Sequence, residues 1–321
     1  MTQSQYSIGV DIGGTKINAA RVCLSGDDPL LGEPVHSPTP NTLDEFIDGI
    51  VNGVEACKQQ GTVGAVGIST AGSVDSERGC IIGATGNLPF IKGELQLKKI
   101  LQERTKLPVH VENDANAAAY GEIAMGAARG HQHMVMVTLG TGVGVGVVMH
   151  GKMVRGSHYS AEGGHIVIKD EGRMCTCGRP DCWEAYASGK GFNLTIRQML
   201  HKASAEEQQK FLAGGDHNLD TADTHDWARA LKDQQALAQA MRDQWHKDVA
   251  LGIINIINMV DPDSIVVGGG LMGFVDFEKL AAIVKPRVLT PTFSILPAKL
   301  GNDAGMVGAA FLASQSVPIG V

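Results

Sequence analysis

Three cysteines and a histidine gathered in one short span constrain this chain more than any other feature. In AEGGHIVIKDEGRMCTCGRPDCWEAYASG, Ala161 to Gly189, Cys175, Cys177 and Cys182 lie two and five residues apart, while Cys23, Cys57 and Cys80 are scattered. His165 precedes Cys175 by ten residues and offers a fourth ligand. Soft thiolates with one imidazole make Cys3His tetrahedral Zn2+ the economical assignment, against buried free thiols or a disulfide. All four positions would be filled by protein, which leaves none for a water nucleophile, so the zinc is expected to be structural. Glu162 lies three residues before His165 and Glu184 two after Cys182. A closed knot would fix both carboxylates without using them as ligands, an arrangement suited to a hydroxyl-rich molecule. From composition alone they would read as solvated surface glutamates.

A chain of 321 residues, 43% hydrophobic and 19% charged, can bury a sizeable core and is expected to form two domains. A net charge of -7 argues against a nucleic-acid or anionic-membrane partner and leaves a small molecule as the expected one. MTQSQYSIGV has no basic segment ahead of an apolar run, and no apolar stretch reaches the length of a membrane span. Unpaired cysteines with a thiolate metal site fit a reducing compartment, so the cytoplasm is expected.

The 41 glycines cluster in DIGGTK, LGTGVGVG and VVGGGL. Tyr6 to Val10 reads as a strand ending at Asp11, with Ile17 to Leu24 as its hairpin partner after a Gly-Gly turn and a third strand near Pro34 to Pro38. Leu43, Phe46, Ile47, Ile50, Val51 and Val54 recur at helical spacing within Thr42 to Gln60, with Thr42 or Asn41 as cap. A buried strand over Val63 to Ser69, a helix over Glu94 to Thr105, a short strand over Val109 to Val111 and an Ala-rich helix over Ala115 to Arg129 follow. At Met134 the pattern restarts with a strand, a Gly-rich turn and a hairpin partner. Ala203 to Asp226 reads as surface loop or short helices, Trp227 to Met259 as helices with a break, Ser264 to Val267 as a strand, and Asp276 to Leu289 and Ala304 to Ala313 as helices. Two such similar halves would enclose a ligand-binding cleft.

DIGGTK, Asp11 to Lys16, puts a carboxylate at a strand end and Gly13 and Gly14 in the turn, so backbone N–H groups can face an anion beside Asp11. That combination suits phosphate with hydrated Mg2+. Leu139 to Gly146 repeats the device with Gly140, Thr141 and Gly142, Thr141 being able to donate to a phosphate oxygen. Neither is a Walker loop, and each alone could be a plain hairpin turn. Gly268 to Gly270, between a strand and a helix, could let a nucleoside lie on bare backbone or could simply need positive φ. Asp114, just before the Ala-rich helix, is the expected catalytic base; the same position also suits a helix cap, a role Asn113 can share.

Together, E-x-G-H at Glu162 to His165 and C-x-C-G-x3-C-x-E at Cys175 to Glu184 make the chain resemble the ROK group of repressors and sugar kinases across Ile8 to Ala313. The resemblance implies an α/β, actin-like and hexokinase-like (ribonuclease H-like) ATPase fold with an interdomain cleft. One domain is expected over residues 1–115 plus 303–321 and the other over 116–302. It implies Asp114 as base, with sugar held by Gly72, Asn87, Asn113, Asp114, Glu162, His165 and Glu184. ATP and Mg2+ would be held by Asp11, Gly13, Gly14, Thr15, Lys16, Gly140, Thr141 and Gly142, with Gly269 and Gly270 near the nucleoside. By the same analogy His165 binds zinc while helping to orient the sugar. Three positions depart from the family pattern: Ala71 for Pro, Val145 for a third Gly, and Asp181 for the Gly before the last cysteine. The implied activity is ATP-dependent phosphorylation of a hexose at its primary hydroxyl, with glucose first and fructose, mannose, N-acetylglucosamine and N-acetylmannosamine as alternatives, by a homodimer. A sugar-sensing repressor of the group would carry a DNA-binding helical domain ahead of the first glycine loop, which here starts ten residues in. An actin-like assembly protein would leave the zinc knot and its glutamates unexplained.

Overall fold

A computed structural model describes residues 6–26, 29–83, 88–156 and 161–316. The chain divides into two compact units, Met1–Met136 with Gly146–Ala161 and Ala298–Val321, and Val137–Val145 with Glu162–Pro297.

The first unit begins with strands β1 (Tyr6–Ile12), β2 (Lys16–Cys23), β3 (Leu30–Leu31) and β4 (Val35–Pro38), then helix α1 (Leu43–Gln59) and strand β5 (Val66–Thr70). A small hairpin, β6 (Val74–Asp75) and β7 (Cys80–Ile81), is followed by α2 (Leu97–Thr105), β8 (Val109–Asn113) and α3 (Asp114–Met125). The sheet runs β3-β2-β1-β5-β8, with β4 also paired to β2. β1, β5 and β8 are parallel, and their register aligns Asp11 with Ser69 and Ser69 with Glu112, then Ile12 with Thr70 and Thr70 with Asn113. Three strand ends therefore finish level at one edge, the edge where open α/β sheets place ligands. α1 buries Phe46, Ile47, Ile50, Val51, Val54 and Cys57 against this sheet. Thr42 stands at its N-cap, but its hydroxyl donates to the Glu45 carboxylate and not to the helix backbone.

The last helix, Ala304–Gln315, closes this unit. It lies directly on backbone: a Cβ added at Gly67 of β5 would come within 1.9 Å of the Ala309 carbonyl, and one at Gly308 within 1.7 Å of the Ala117 carbonyl of α3. Only residues without a side chain allow such an approach. α3 ends at Met125, capped by Gly126, earlier than the Arg129 the sequence predicts. The buried Glu122 carboxylate accepts from Ala127 N–H at 2.7 Å and also from Leu300 N–H at 2.8 Å, satisfying the turn that follows.

In the remainder, β9 (Met134–Leu139), β10 (Val143–Met149) and β11 (Lys152–Met153) restart the hairpin pattern as expected. Helices α4 (Glu184–Ala187) and α5 (Gly189–Lys202), which sequence periodicity does not single out, precede α6 (Ala205–Leu212), α7 (Thr224–Lys232) and α8 (Ala236–Val260). The break expected within Trp227 to Met259 falls between α7 and α8, where Gln234 takes φ +56°. β12 (Ser264–Gly268), α9 (Phe277–Val284) and β13 (Ser294–Pro297) complete a five-stranded sheet of order β11-β10-β9-β12-β13. α9 stops before the predicted Leu289 and passes into a single tight 3-10 turn, Lys285–Arg287, because Pro286 has no N–H to continue it. Phe192 stacks on Trp245 and meets Trp227 edge-on, and both indole N–H groups are satisfied, by the Ala187 and Ala238 carbonyls. Among the described residues no helix is long and apolar enough to cross a membrane.

Gly67→Ala is expected to destabilise the protein by about 1–3 kcal/mol, because the new methyl group meets backbone that cannot move aside; denaturant unfolding measures it. A second prediction concerns His246, 1% exposed on α8, which bonds the Arg242 carbonyl through Nδ1 and accepts Asp276 N–H through Nε2, joining α8 to the start of α9. Burial pushes this imidazole below its ordinary 6.5. The unfolded chain therefore takes up the proton first. The stabilisation is complete above pH 6.5 and is lost as pH falls below it towards the depressed folded value. A melting-temperature series should show that slope in the native protein and a flatter one in His246→Gln.

Candidate functional site

In the first unit, the expected anion loop is a tight turn closed by Gly13 N–H to the Lys16 carbonyl at 3.0 Å. Thr39, just past β4, pins it by donating its hydroxyl to the Gly13 carbonyl at 2.7 Å and its N–H to the Thr15 carbonyl at 3.0 Å. Gly14, Thr15 and Lys16 are exposed. Asp11, at the end of this unit's central strand, accepts the Ser69 hydroxyl at 2.8 Å. Burial raises its carboxyl above the ordinary value, Ser69 works the other way, and the negative charge of Asp303 adds to the rise. A carboxylate held among such neighbours is a natural receiver for a cation.

At the same sheet edge, Asn113 is the N-cap of α3: its Oδ1 accepts from Ala115 N–H at 3.0 Å and Asn116 N–H at 3.3 Å. The cap role considered for Asp114 thus falls mainly to its neighbour, although Asp114 Oδ1 also accepts from Ala115 N–H at 2.8 Å. Asp114 sits exposed on the first turn. Asn113 Nδ2 donates to the Gly72 carbonyl at 3.1 Å, so two residues picked from distant parts of the sequence meet directly. Asn87 lies outside the described residues.

In the second unit, ligand atoms of His165, Cys175, Cys177 and Cys182 all lie within 4.8 Å of one another. Cys177 Sγ is 3.6 Å from Cys182 Sγ, and Cys175 Sγ is 3.7 Å from His165 Nδ1. A tetrahedron with metal–sulfur bonds of about 2.3 Å has sulfur–sulfur edges of roughly 3.8 Å, so the donor set fits zinc in kind and spacing. Burial works against ionising Cys177, but Arg179 holds that thiol down at about 6, ready as a thiolate. Glu162 and Glu184 are not needed as ligands. Glu162 Oε2 stands 3.9 Å from His165 Nε2. A second cluster, His217 with Asp223 and Asp226, has a local purpose: the two aspartates form the capping box of α7, and Asp226 also pairs with Arg229 at 3.0 Å.

Asp181 explains one departure from the family pattern. Its φ of +61° is a conformation glycine adopts freely. Here the side chain compensates by accepting Gly172 N–H at 2.9 Å, Arg173 N–H at 3.1 Å and the Tyr186 hydroxyl. Tyr186 in turn carries Lys169 and Arg173 over its ring, and Lys169 pairs with the buried Asp248 of α8 at 2.8 Å, so the knot is anchored to the longest helix. At the other departure, the Val145 side chain packs on Gly163 of the E-x-G-H turn.

The knot also touches the second glycine loop. Glu184 Oε1 accepts the Thr176 hydroxyl at 2.8 Å, while its Oε2 accepts Val143 N–H at 3.1 Å. Gly189 N–H donates to the Gly140 carbonyl at 2.8 Å. Gly269, at φ +87°, brings its backbone so close to Leu139 that a Cβ would meet the Leu139 carbonyl oxygen at 2.5 Å. Gly140, Thr141, Gly142, Gly269, Gly270 and Glu184 therefore belong to one neighbourhood, beside Glu162, His165 and the three cysteines.

Sequence reasoning missed Glu112, which is 0% exposed. Its Oε1 accepts from Asn113 N–H at 3.0 Å, Asn116 Nδ2 at 3.1 Å and the Ser76 hydroxyl at 3.1 Å. Its Oε2 accepts from Arg155 Nη2 at 2.7 Å, and His110 Nε2 stands 3.7 Å away. Burial alone would raise this carboxyl, yet His110 and Arg155 bring it down to about 2. The signal was present in VHVEN: an ionisable residue inside an apolar strand needs a partner.

The ROK family model matches residues 7–316. A glucokinase of Streptomyces coelicolor is 35% identical, covering 98% of this chain and 99% of that one. A glucokinase of Thermotoga maritima is 33% identical, covering 97% and 98%. The crystal structure of a ROK family glucokinase from Streptomyces griseus in complex with glucose and AMPPNP superposes with a TM-score of 0.81 at 33% identity, covering 97% of this chain and all 100% of that one. The actin-like ATPase fold expected from the sequence is the fold of these relatives. From its metal-ligand cluster to its full-length match, the chain belongs to the ROK family.

Proposed function

We propose that this protein is an ATP-dependent glucokinase, a sugar kinase that transfers the γ-phosphoryl group of ATP to the 6-hydroxyl of glucose. The observation that carries this reading is the neighbourhood in which Glu184 hydrogen-bonds both the Cys3His cluster, at Thr176, and the second glycine loop, at Val143, with Glu162 3.9 Å from His165. The likeness to a glucokinase holding glucose and AMPPNP supports the choice of both substrates.

In this mechanism Asp114, exposed at the positive end of α3, accepts the proton of the sugar hydroxyl as its oxygen attacks the γ-phosphorus in line. Asn113 fixes that turn and, with Gly72, Asn87, Glu162, His165 and Glu184, binds the sugar. The turn Gly13–Lys16 and the loop Gly140–Gly142 present backbone N–H groups to the phosphates, and Gly269 and Gly270 leave room for the nucleoside. Asp11 would help to hold the Mg2+ that accompanies ATP, which would supply neutralisation of phosphate charge. His165, Cys175, Cys177 and Cys182 would hold Zn2+, which would supply rigidity to the turn that carries His165. The enzyme works in the cytoplasm as a homodimer.

A coupled assay over glucose, fructose, mannose and the N-acetylhexosamines tests the substrate assignment, which fails if an N-acetylhexosamine or another hexose gives the highest kcat/KM. Asp114→Asn should lower kcat at least about a hundredfold while glucose binding stays measurable by calorimetry; a fully active variant means that another group is the base. Prolonged chelation should lower the melting temperature and weaken glucose binding together, since a structural metal contributes folding energy. An unchanged melting curve would count against the metal.

A further inference from the structure

The most heavily bonded buried charge in the first unit is not among the residues given a role above. Glu112 Oε1 accepts from donors that surround Asp114 in sequence: Asn113 N–H before it and the Asn116 side chain in the first turn of α3. The opposite partner, Arg155, reaches Glu112 from just beyond β11, and its other terminal nitrogen donates to the Ser76 hydroxyl, which itself donates to Glu112. The Arg155 side chain is 34% exposed and that of Glu112 is fully buried. Ion pairs of this kind contribute little net stability, because desolvation offsets their attraction. Their geometric effect is larger: Asn113, which caps α3, cannot shift without breaking its bond to a carboxylate that Arg155 holds in place.

We propose that Glu112 and Arg155 are a positioning pair for the phosphoryl-transfer step, fixing the Asn113–Asp114 turn and setting the charge beside the base. This rests on the reading of Asp114 as the base. Neither residue touches a reacting atom; both act through the turn.

The test is steady-state kinetics with glucose and ATP across pH, on full-length Arg155→Met, Arg155→Lys, Glu112→Gln and Asp114→Asn. Arg155→Met should lower kcat about tenfold to a hundredfold, the scale of a small misplacement of a reacting group, with KM for ATP within about twofold of the parent. The acid limb of kcat/KM for glucose should move to higher pH in Arg155→Met, where the positive charge paired with Glu112, two residues before Asp114, is lost. It should move to lower pH in Glu112→Gln, where a negative charge is lost. Arg155→Lys should return the limb to its original position and recover part of kcat, since one ammonium cannot serve both Glu112 and Ser76. Melting temperatures taken alongside report folding. If the Glu112 variant does not fold, the two Arg155 variants, altered at a partly exposed side chain, still decide. An acid limb that stays in place in every folded variant, or a parental kcat in Arg155→Met, overturns the proposal. Activity in Asp114→Asn would instead remove the base assignment, whereas an inactive Asp114→Asn beside a parental Arg155→Met removes only the positioning pair.

Discussion

The first unit depends on the approach of one helix to bare backbone. Ala304–Gln315 lies against Gly67 of β5 and against Ala117 of α3 through Gly308, at separations that leave no space for a Cβ. Packing this close makes the positions of β5 and α3 mutually dependent, since interiors at native density transmit displacement instead of absorbing it. Gly305, at the start of the same helix, lies over Asp11 and Ser69: a Cβ there would come within 3.1 Å of Asp11 Oδ1 and 2.8 Å of Ser69 Oγ. One helix thus references both the strand end that bears Asp11 and the helix that bears Asp114.

In the second unit the equivalent organiser is chemical. The cluster of three thiols and an imidazole, whose ligand atoms lie within 4.8 Å of one another, is tied outward on two sides. Lys169, Tyr186 and Asp181 fasten it to α8 through the buried Asp248. Thr176 and Glu184 fasten it to the glycine loop at Val143. Glu184 thus links the cysteine cluster, through Thr176, to the glycine loop, through Val143.

Asp181 and Glu112 mark the two ways in which a local rule was broken and compensated. A non-glycine residue at φ +61° gains three hydrogen bonds that a glycine could not accept. A carboxylate without solvent exposure gains a guanidinium, a hydroxyl, an amide side chain and a backbone N–H. In both cases the side chain that violates the pattern is itself the acceptor that makes the position tolerable.

The sequence by itself determined which residues are candidates for chemistry, because those signals are local. Cysteine spacing, two glycine loops at strand ends and an aspartate ahead of an Ala-rich helix depend on separations of a few residues, and the hairpins and α1 were legible through short-range periodicity. It could not place helix ends decided by distant groups, as where Glu122 terminates α3 by serving Leu300, or reveal α5, whose apolar face is defined by Trp227 and Trp245. Tertiary structure alone decided that Asn113 meets Gly72, that Glu184 braces Val143 and that Arg155 reaches Glu112, because each contact joins residues at least 41 positions apart through strand register and packing. No local pattern encodes such a pairing; it follows from which strands lie side by side.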